Sequence, residues 1–183
     1  MTAAATRTMT VEEYLEFEKG SEVRHEFVDG AIMAMAGESR KHHRIARNIV
    51  RVLEQNQTSC EIALEAIKVR VTETGRYRYP DVTVSCDPGN NECFLENPCF
   101  LVEVLSESTA STDQNEKLGE YLRLPSLQHY AMIAQDVRRV ILYKRTLDGW
   151  GVEILEDTGE FEIPCLETSL TLDQIYAGLE FVS

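Results

Sequence analysis

A chain of 183 residues with 43% apolar side chains is long enough to fold as one domain, expected to span 1–183, around a real core. It holds no apolar run of about 18 residues, so no transmembrane helix is expected. Residues 1–10 lack the apolar stretch of a secretion signal, which makes the cytoplasm the expected location. The 31 acids against 18 Lys and Arg leave a net charge of −13, which opposes non-specific attraction to phosphate backbones.

Thr10 opens the first helix: it can serve as N-cap with Glu13 in the capping-box position, Val11, Tyr14 and Leu15 share a face, and Gly20 stops it. Residues 25–28 and 31–35 read as strands about Asp29-Gly30, a hairpin turn dipeptide. Ser39 can cap a second helix running to about Gln57. Ile45, Ile49, Val52 and Leu53 form its apolar stripe, while Arg40, Arg44, Arg47 and Arg51 repeat at i, i+4, i+7 and i+11 on another face. Residues 40–78 carry nine Lys and Arg against four acids, so an acidic protein can still present a local basic surface here.

Residues 62–71 alternate as one strand, with Ile67, Val69 and Val71 on one face and Lys68 and Arg70 on the other. Two strand-like runs follow, each with one carboxylate in apolar surroundings: Asp81 before Val82-Thr83-Val84, and Glu103 between Val102 and Val104. A charge in such a place is costly to bury unless it is paired or bound to a cation. The turn-rich link at 87–91 lets the two strands pair antiparallel. Carboxylates converging from neighbouring strands suit a hard, oxygen-preferring cation such as Mg²⁺. The competing expectation puts both acids at strand ends in water, or paired with Arg76, Arg78 or Lys68.

Asp113 opens a third helix, with Glu116 in box position, Leu118, Tyr121 and Leu122 facing inward, and Pro125 just past its end. Strands near 129–134, 139–145 and 150–155 come next. A short helix at 171–177 begins at Thr171 with Asp173 as its acidic partner. There is no internal repeat or linker, and the element order reads as a layered α/β structure. Cys60, Cys86, Cys93, Cys99 and Cys165 are odd in number and form no Cys-x-x-Cys pair. The expectation is free thiols in a reducing compartment, without a structural zinc site.

Taken in order, several of these pieces resemble one known group. They are Met-Thr-Val-Glu-Glu-Tyr-Leu at 9–15, Glu-Phe-Val-Asp-Gly at 26–30, a helix bearing His42, and Pro80-Asp81. After them come Glu103–Ser106 with Thr109, then Asp113, Lys117 and Tyr121, and Leu-Thr-Leu-Asp-Gln-Ile at 170–175. Over about the full length, this set resembles the PD-(D/E)XK nuclease superfamily and, more closely, its Uma family of restriction-endonuclease-like proteins.

The resemblance implies an α/β (α+β) fold of restriction-endonuclease type, a mixed central β-sheet flanked by helices. It further implies Mg²⁺ or Mn²⁺ held by Asp81, Glu103 and the backbone carbonyl of Val104, and hydrolysis of DNA phosphodiester bonds by a metal-activated water. The sequence departs from the superfamily where a lysine is expected two residues after the glutamate: Leu105 stands there. Lys117, from the following helix, is the candidate replacement, against the alternative of an ordinary i, i+4 pair with Asp113. Glu26 is a candidate supporting or second-metal carboxylate, or else a partner for Arg24 or a surface acid. His42 and His43 are candidate phosphate contacts or bases, or else exposed helix histidines. Ser106 and Thr109 read as capping hydroxyls. DNA is the expected partner, and a homodimer is expected, with the late strands and the apolar segment 170–182 as its interface. The competing class is a catalytically lapsed module that keeps the fold to bind nucleic acid or protein.

Overall fold

Helix α1 (Val11–Lys19) starts where Thr10 Oγ1 accepts from Glu13 N while the Glu13 carboxylate accepts from Thr10 N, and it stops at Gly20. Its buried Tyr14 stacks on Phe27 of strand β1 (His25–Val28). Asp29 and Gly30 then take φ of 48° and 92°. Two successive left-handed residues make the tight turn that returns the chain as β2 (Ala31–Ala34), antiparallel to β1. These coordinates are a computed structural model, which describes residues 8–35, 37–55, 59–65, 67–72, 75–105 and 113–181. Ser106, Thr109 and the Asp113 side chain, with the roles expected of them, lie outside the described residues.

Ser39 accepts from His42 N to cap α2 (Arg40–Leu53), which ends short of Gln57. After it come β3 (Glu61–Leu64), β4 (Lys68–Thr72), β5 (Arg76–Arg78), β6 (Val82–Ser85), β7 (Phe94–Leu95) and β8 (Phe100–Leu105). Helix α3 (Asp113–Tyr121) precedes β9 (His129–Ala134), β10 (Arg139–Thr146) and β11 (Gly149–Glu156). Strands β12 (Glu160–Ile163) and β13 (Thr168–Thr171) form a ribbon around a 3₁₀ turn at Pro164–Leu166, and α4 (Leu172–Ile175) follows.

The strands form two larger sheets. One runs β2-β1-β5-β4-β7 and the other β11-β10-β9-β8-β6-β3. Both are mixed, because β4 pairs parallel with β7 and β8 parallel with β9, while the other pairs are antiparallel. Alternation along β8 divides the core. Phe100, Val102 and Val104 pack with Ile45, Ile49 and Leu53 of α2 and with Ile163, Leu170 and Ile175. Leu101 and Leu105 lie with Tyr121, Leu127 and Tyr130 on the opposite face. Each such buried aliphatic contributes roughly 1.5–3 kcal/mol of transfer free energy.

Several expectations are corrected. The alternating run 62–71 is two strands in different sheets, because Glu65 takes a left-handed φ of 51° and turns the chain between them. Helix α4 is boxed by Gln174, not Asp173. Leu170, Leu172 and Ile175, in the segment expected at a dimer interface, are buried in the chain's own core. The cysteines are also not all free thiols: Cys60 is bonded to Cys86 and Cys99 to Cys165, leaving Cys93 reduced. The partners lie 26 and 66 positions apart, and only the folded sheet brings them together.

Candidate active site

Tyr79-Pro80-Asp81 carries the chain from β5 of the smaller sheet into β6 of the larger, and all three residues are buried. The β6–β8 ladder ends at Val82↔Val102, which sets Asp81 beside Glu103 at the open end of the pair. Asp81 is fixed there twice: its N donates to Val102 O at 3.1 Å, and its Oδ2 accepts from Val104 N at 2.5 Å. Glu103 points to the α3 side of the sheet, where Tyr121 OH donates to its Oε1 at 2.8 Å.

Lys117 and Tyr121, one helical turn apart on α3, approach Glu103 together. Lys117 Nζ lies 3.5 Å from Glu103 Oε1 and 2.8 Å from Glu26 Oε1. Glu26 is therefore neither a surface acid nor Arg24's partner. It is buried on β1 and reaches across from the smaller sheet, while Arg24 donates to the Glu65 carbonyl. Behind Glu26 sits Arg78, fully enclosed, which donates to Glu26 Oε2 at 2.8 Å and to both oxygens of Glu120 at 2.8 and 2.9 Å. Arg76 adds a bond to Glu120 at 2.5 Å and also holds Asp29. Such a buried cation depends on these partners, since removing one leaves an uncompensated charge in low dielectric. Arg76 and Arg78 are thus committed to other acids and Lys68 lies over Tyr79. Among the described residues, no ion pair links any of the three to Asp81 or Glu103.

His42 departs from the expectation of an exposed helix histidine. It is buried, with Nε2 3.1 Å from Asp81 Oδ1 and 3.6 Å from Glu38 Oε2. No well-directed hydrogen bond satisfies that nitrogen. His43, by contrast, is half exposed, its Nδ1 3.7 Å from Glu65 Oε1.

Burial pushes the Glu103 carboxyl up; Lys117 and the Tyr121 bond oppose this, Asp81 and Glu26 reinforce it, and the result is about 7. Glu38 also reaches about 7: burial leads, His42 opposes it, and the charges of Glu65 and Asp81 add to it. For His42, burial favours the neutral ring, but Asp81, Glu38 and Glu65 outweigh it and raise its pKa. Glu26 goes the other way, because Lys117 and Arg78 overcome its burial and hold it below the usual carboxylate range.

The model of the Uma2 family, described as "Putative restriction endonuclease", matches residues 11–174. The chain belongs to the Uma2 family. Two relatives from Synechocystis sp., both described as uncharacterised, are slr1290, 33% identical over 178 residues and 94% of each chain, and sll1609, 34% identical over 170 residues, 88% of this chain and 96% of its own. A crystal structure from Anabaena variabilis, described as a putative nuclease belonging to DUF820, superposes with a TM-score of 0.74. It is 19% identical and covers 92% of this chain and 98% of its own. The likeness establishes the fold: mixed sheets flanked by helices, of the restriction-endonuclease-like kind.

The donor set fits a divalent cation. Glu38, His42 and Asp81 each offer one atom, all within 4.8 Å of one another, and Glu103 stands beside Asp81. The His42 imidazole faces two carboxylates, Asp81 at 3.1 Å and Glu38 at 3.6 Å, and in its neutral form it offers a nitrogen donor beside them. Mg²⁺ takes oxygen donors and first-row transition ions accept imidazole, so this set fits Mn²⁺ better than Mg²⁺. Nothing in the sequence singles out Glu38. It sits in a polar stretch before a helix cap, where acids are common, and only its convergence on His42 marks it.

Proposed function

We propose that this Uma2 protein is a Mn²⁺- or Mg²⁺-dependent endonuclease that hydrolyses DNA phosphodiester bonds through a metal-activated water. The observation that carries the reading is Lys117 Nζ standing between Glu26 and Glu103, although the usual strand position holds Leu105. Asp81, Glu103 and the carbonyl of Val104 would hold the cation, with His42 and Glu38 on the other side of Asp81. When bound, it would polarise the scissile phosphate and lower the pKa of a coordinated water.

The chain's own groups do the rest. Asp81 is immobilised by Val104 N and Glu103 by Tyr121, so neither carboxylate has to be ordered at the moment of reaction. Glu26, held ionised by Arg78, keeps the Lys117 ammonium at the site, where it can orient the attacking water and offset charge developing on the phosphate. Helix α2 supplies the route to the site: Arg40, Arg44, Arg47 and Arg51 line a groove that also contains Glu38 and His43. A phosphate backbone laid along these arginines would run toward the carboxylates despite the net acidity of the chain.

Incubation with supercoiled plasmid and Mn²⁺, beside Asp81→Asn and Glu103→Gln, tests the reading. Nicking by the parent protein is expected to fall by at least about 100-fold in each variant. Cleavage that persists in both would remove the assignment. Salt-dependent DNA binding without cleavage by the parent would favour the non-catalytic module.

A further inference from the structure

At the other end of the strands that carry Asp81 and Glu103, four cysteines converge. Cys60 precedes β3, Cys86 follows β6, Cys99 precedes β8, and Cys165 lies in the 3₁₀ turn beyond β12. β3, β6 and β8 are adjacent in the sheet, and Glu61 pairs with Ser85, so Cys60 and Cys86 extend one register. The two disulfides are not separate staples. Cys86 Sγ is 3.9 Å from Cys99 Sγ, which belongs to the other pair, and the sulfurs of Cys86, Cys99 and Cys165 all lie within 4.8 Å of one another. Cys60, bonded to Cys86, completes a cluster of four sulfurs.

We propose that these four residues form a redox-switched zinc site, a tetrathiolate when reduced and two disulfides when oxidised. The geometry supports both states. Tetrahedral Zn²⁺ with Zn–S near 2.3 Å sets neighbouring sulfurs about 3.8 Å apart, and Cys86 and Cys99 already stand at that separation. On reduction, the sulfurs of each pair are freed to separate toward that distance by rotation about χ1. Cys86 is exposed, which gives a cation or a reductant access, while Cys99 is buried and shields the cluster's inner side.

The chemistry balances with an external dithiol as reductant. Each dithiol transfers two electrons and two protons to one disulfide, leaving two cysteine thiols and the oxidised, cyclic dithiol. The four thiols then lose four protons on binding one Zn²⁺. A disulfide oxidant reverses the sequence by re-forming both bonds and expelling the ion. The site is distinct from the carboxylate site: Asp81 and Cys86 flank opposite ends of β6, so switching it changes what clamps the far ends of the strands that carry the acids.

The test uses the full chain carrying Asp81→Asn and Glu103→Gln, which removes the carboxylate site, reduced anaerobically with a dithiol and then freed of it. Titration with Co²⁺ is expected to give sulfur-to-metal charge-transfer bands and intense tetrahedral visible bands at one ion per chain, with Zn²⁺ displacing it. Adding a disulfide oxidant should release the metal. Cys86→Ser and Cys99→Ser should weaken Zn²⁺ binding by at least about 100-fold in competition with a chromophoric chelator, and Cys93→Ser should not. Because the charge-transfer intensity counts the thiolates, the reduced parent spectrum decides the matter even if a serine variant fails to fold. A reduced protein without those bands, or equal binding by the oxidised protein, overturns the proposal.

Discussion

Lys117 is the residue on which the proposed chemistry turns, because it would do the work that the superfamily pattern gives to a strand position. From α3 its ammonium reaches Glu26 at 2.8 Å and Glu103 at 3.5 Å. Lys117 lies next to Leu118 and one turn before Tyr121, which pack inward on the same helix, so it borders the inward face. Removing the charge leaves Glu26 with Arg78 as its remaining ion-pair partner, so the buried acid is not orphaned. Lys117→Ala is therefore expected to lower nicking by roughly 10²–10⁴-fold, the usual worth of a positioned proton-transfer group. Mn²⁺ binding by calorimetry should stay within a few-fold of the parent. Lys117→Arg is expected to stay inactive, since the planar guanidinium is broader than the ammonium that sits between the two carboxylates. Full activity in the arginine variant would reduce the residue to a phosphate clamp.

Among the elements, α2 is the one on which the proposed DNA path rests, since one face builds the core and another carries the arginines. Arg44 is partly engaged, donating to Gly178 O at 2.9 Å, while Arg40, Arg47 and Arg51 are exposed. Replacing Arg47 and Arg51 by Ala is expected to reduce the slope of log binding constant against log salt by about 1 for every phosphate that is no longer neutralised, equally on unrelated DNA sequences. An unchanged slope in filter binding would move the DNA path off this helix. The stripe was legible from the sequence because helical period is a local property. So were the Thr10 and Ser39 caps, the Asp29-Gly30 hairpin and the three late strands. What escaped was non-local. Strands β5 and β7 are too short to show alternation, and they exist because β1 and β4 pair with them. Glu26 was a candidate supporting carboxylate in the sequence, but its bond to Arg78, 52 positions away, was not readable there. The carboxylate pair was readable from two apolar runs, whereas Glu38 and the sulfur cluster needed the fold to assemble them.

For the molecule as a whole, the site is a concentrated electrostatic cost that a cation would relieve, and this sets how stability should follow pH. Glu103 and Glu38 hold their protons to about 7 in the folded chain, against an ordinary 4.5. Between those values the native state binds protons that the unfolded chain has released, so stability falls as pH rises. His42 has the same sign. Its pKa is raised above 6.5, so the stability it adds is complete below that value and is lost as pH climbs through its folded pKa. Glu26, held low, adds stability that disappears only in acid, as pH falls from its ordinary 4.5 through its folded pKa. The metal-free protein should therefore be most stable near pH 5 and lose stability toward pH 8, with Glu103 alone worth on the order of 2–3 kcal/mol. For a chain of this length that corresponds to a Tm lower by about 5–10 °C. Differential scanning in EDTA across that range should show the fall, and Glu103→Gln should remove much of it, since a neutral amide has no charge to desolvate. Saturating Mn²⁺ should restore Tm most strongly at pH 8, where the ligands are already deprotonated and none of the binding free energy goes into releasing protons. A Tm in EDTA that rises from pH 5 to 8 would mean that these carboxyls are ionised and satisfied without a cation, and the donor set would then be a structural ion network.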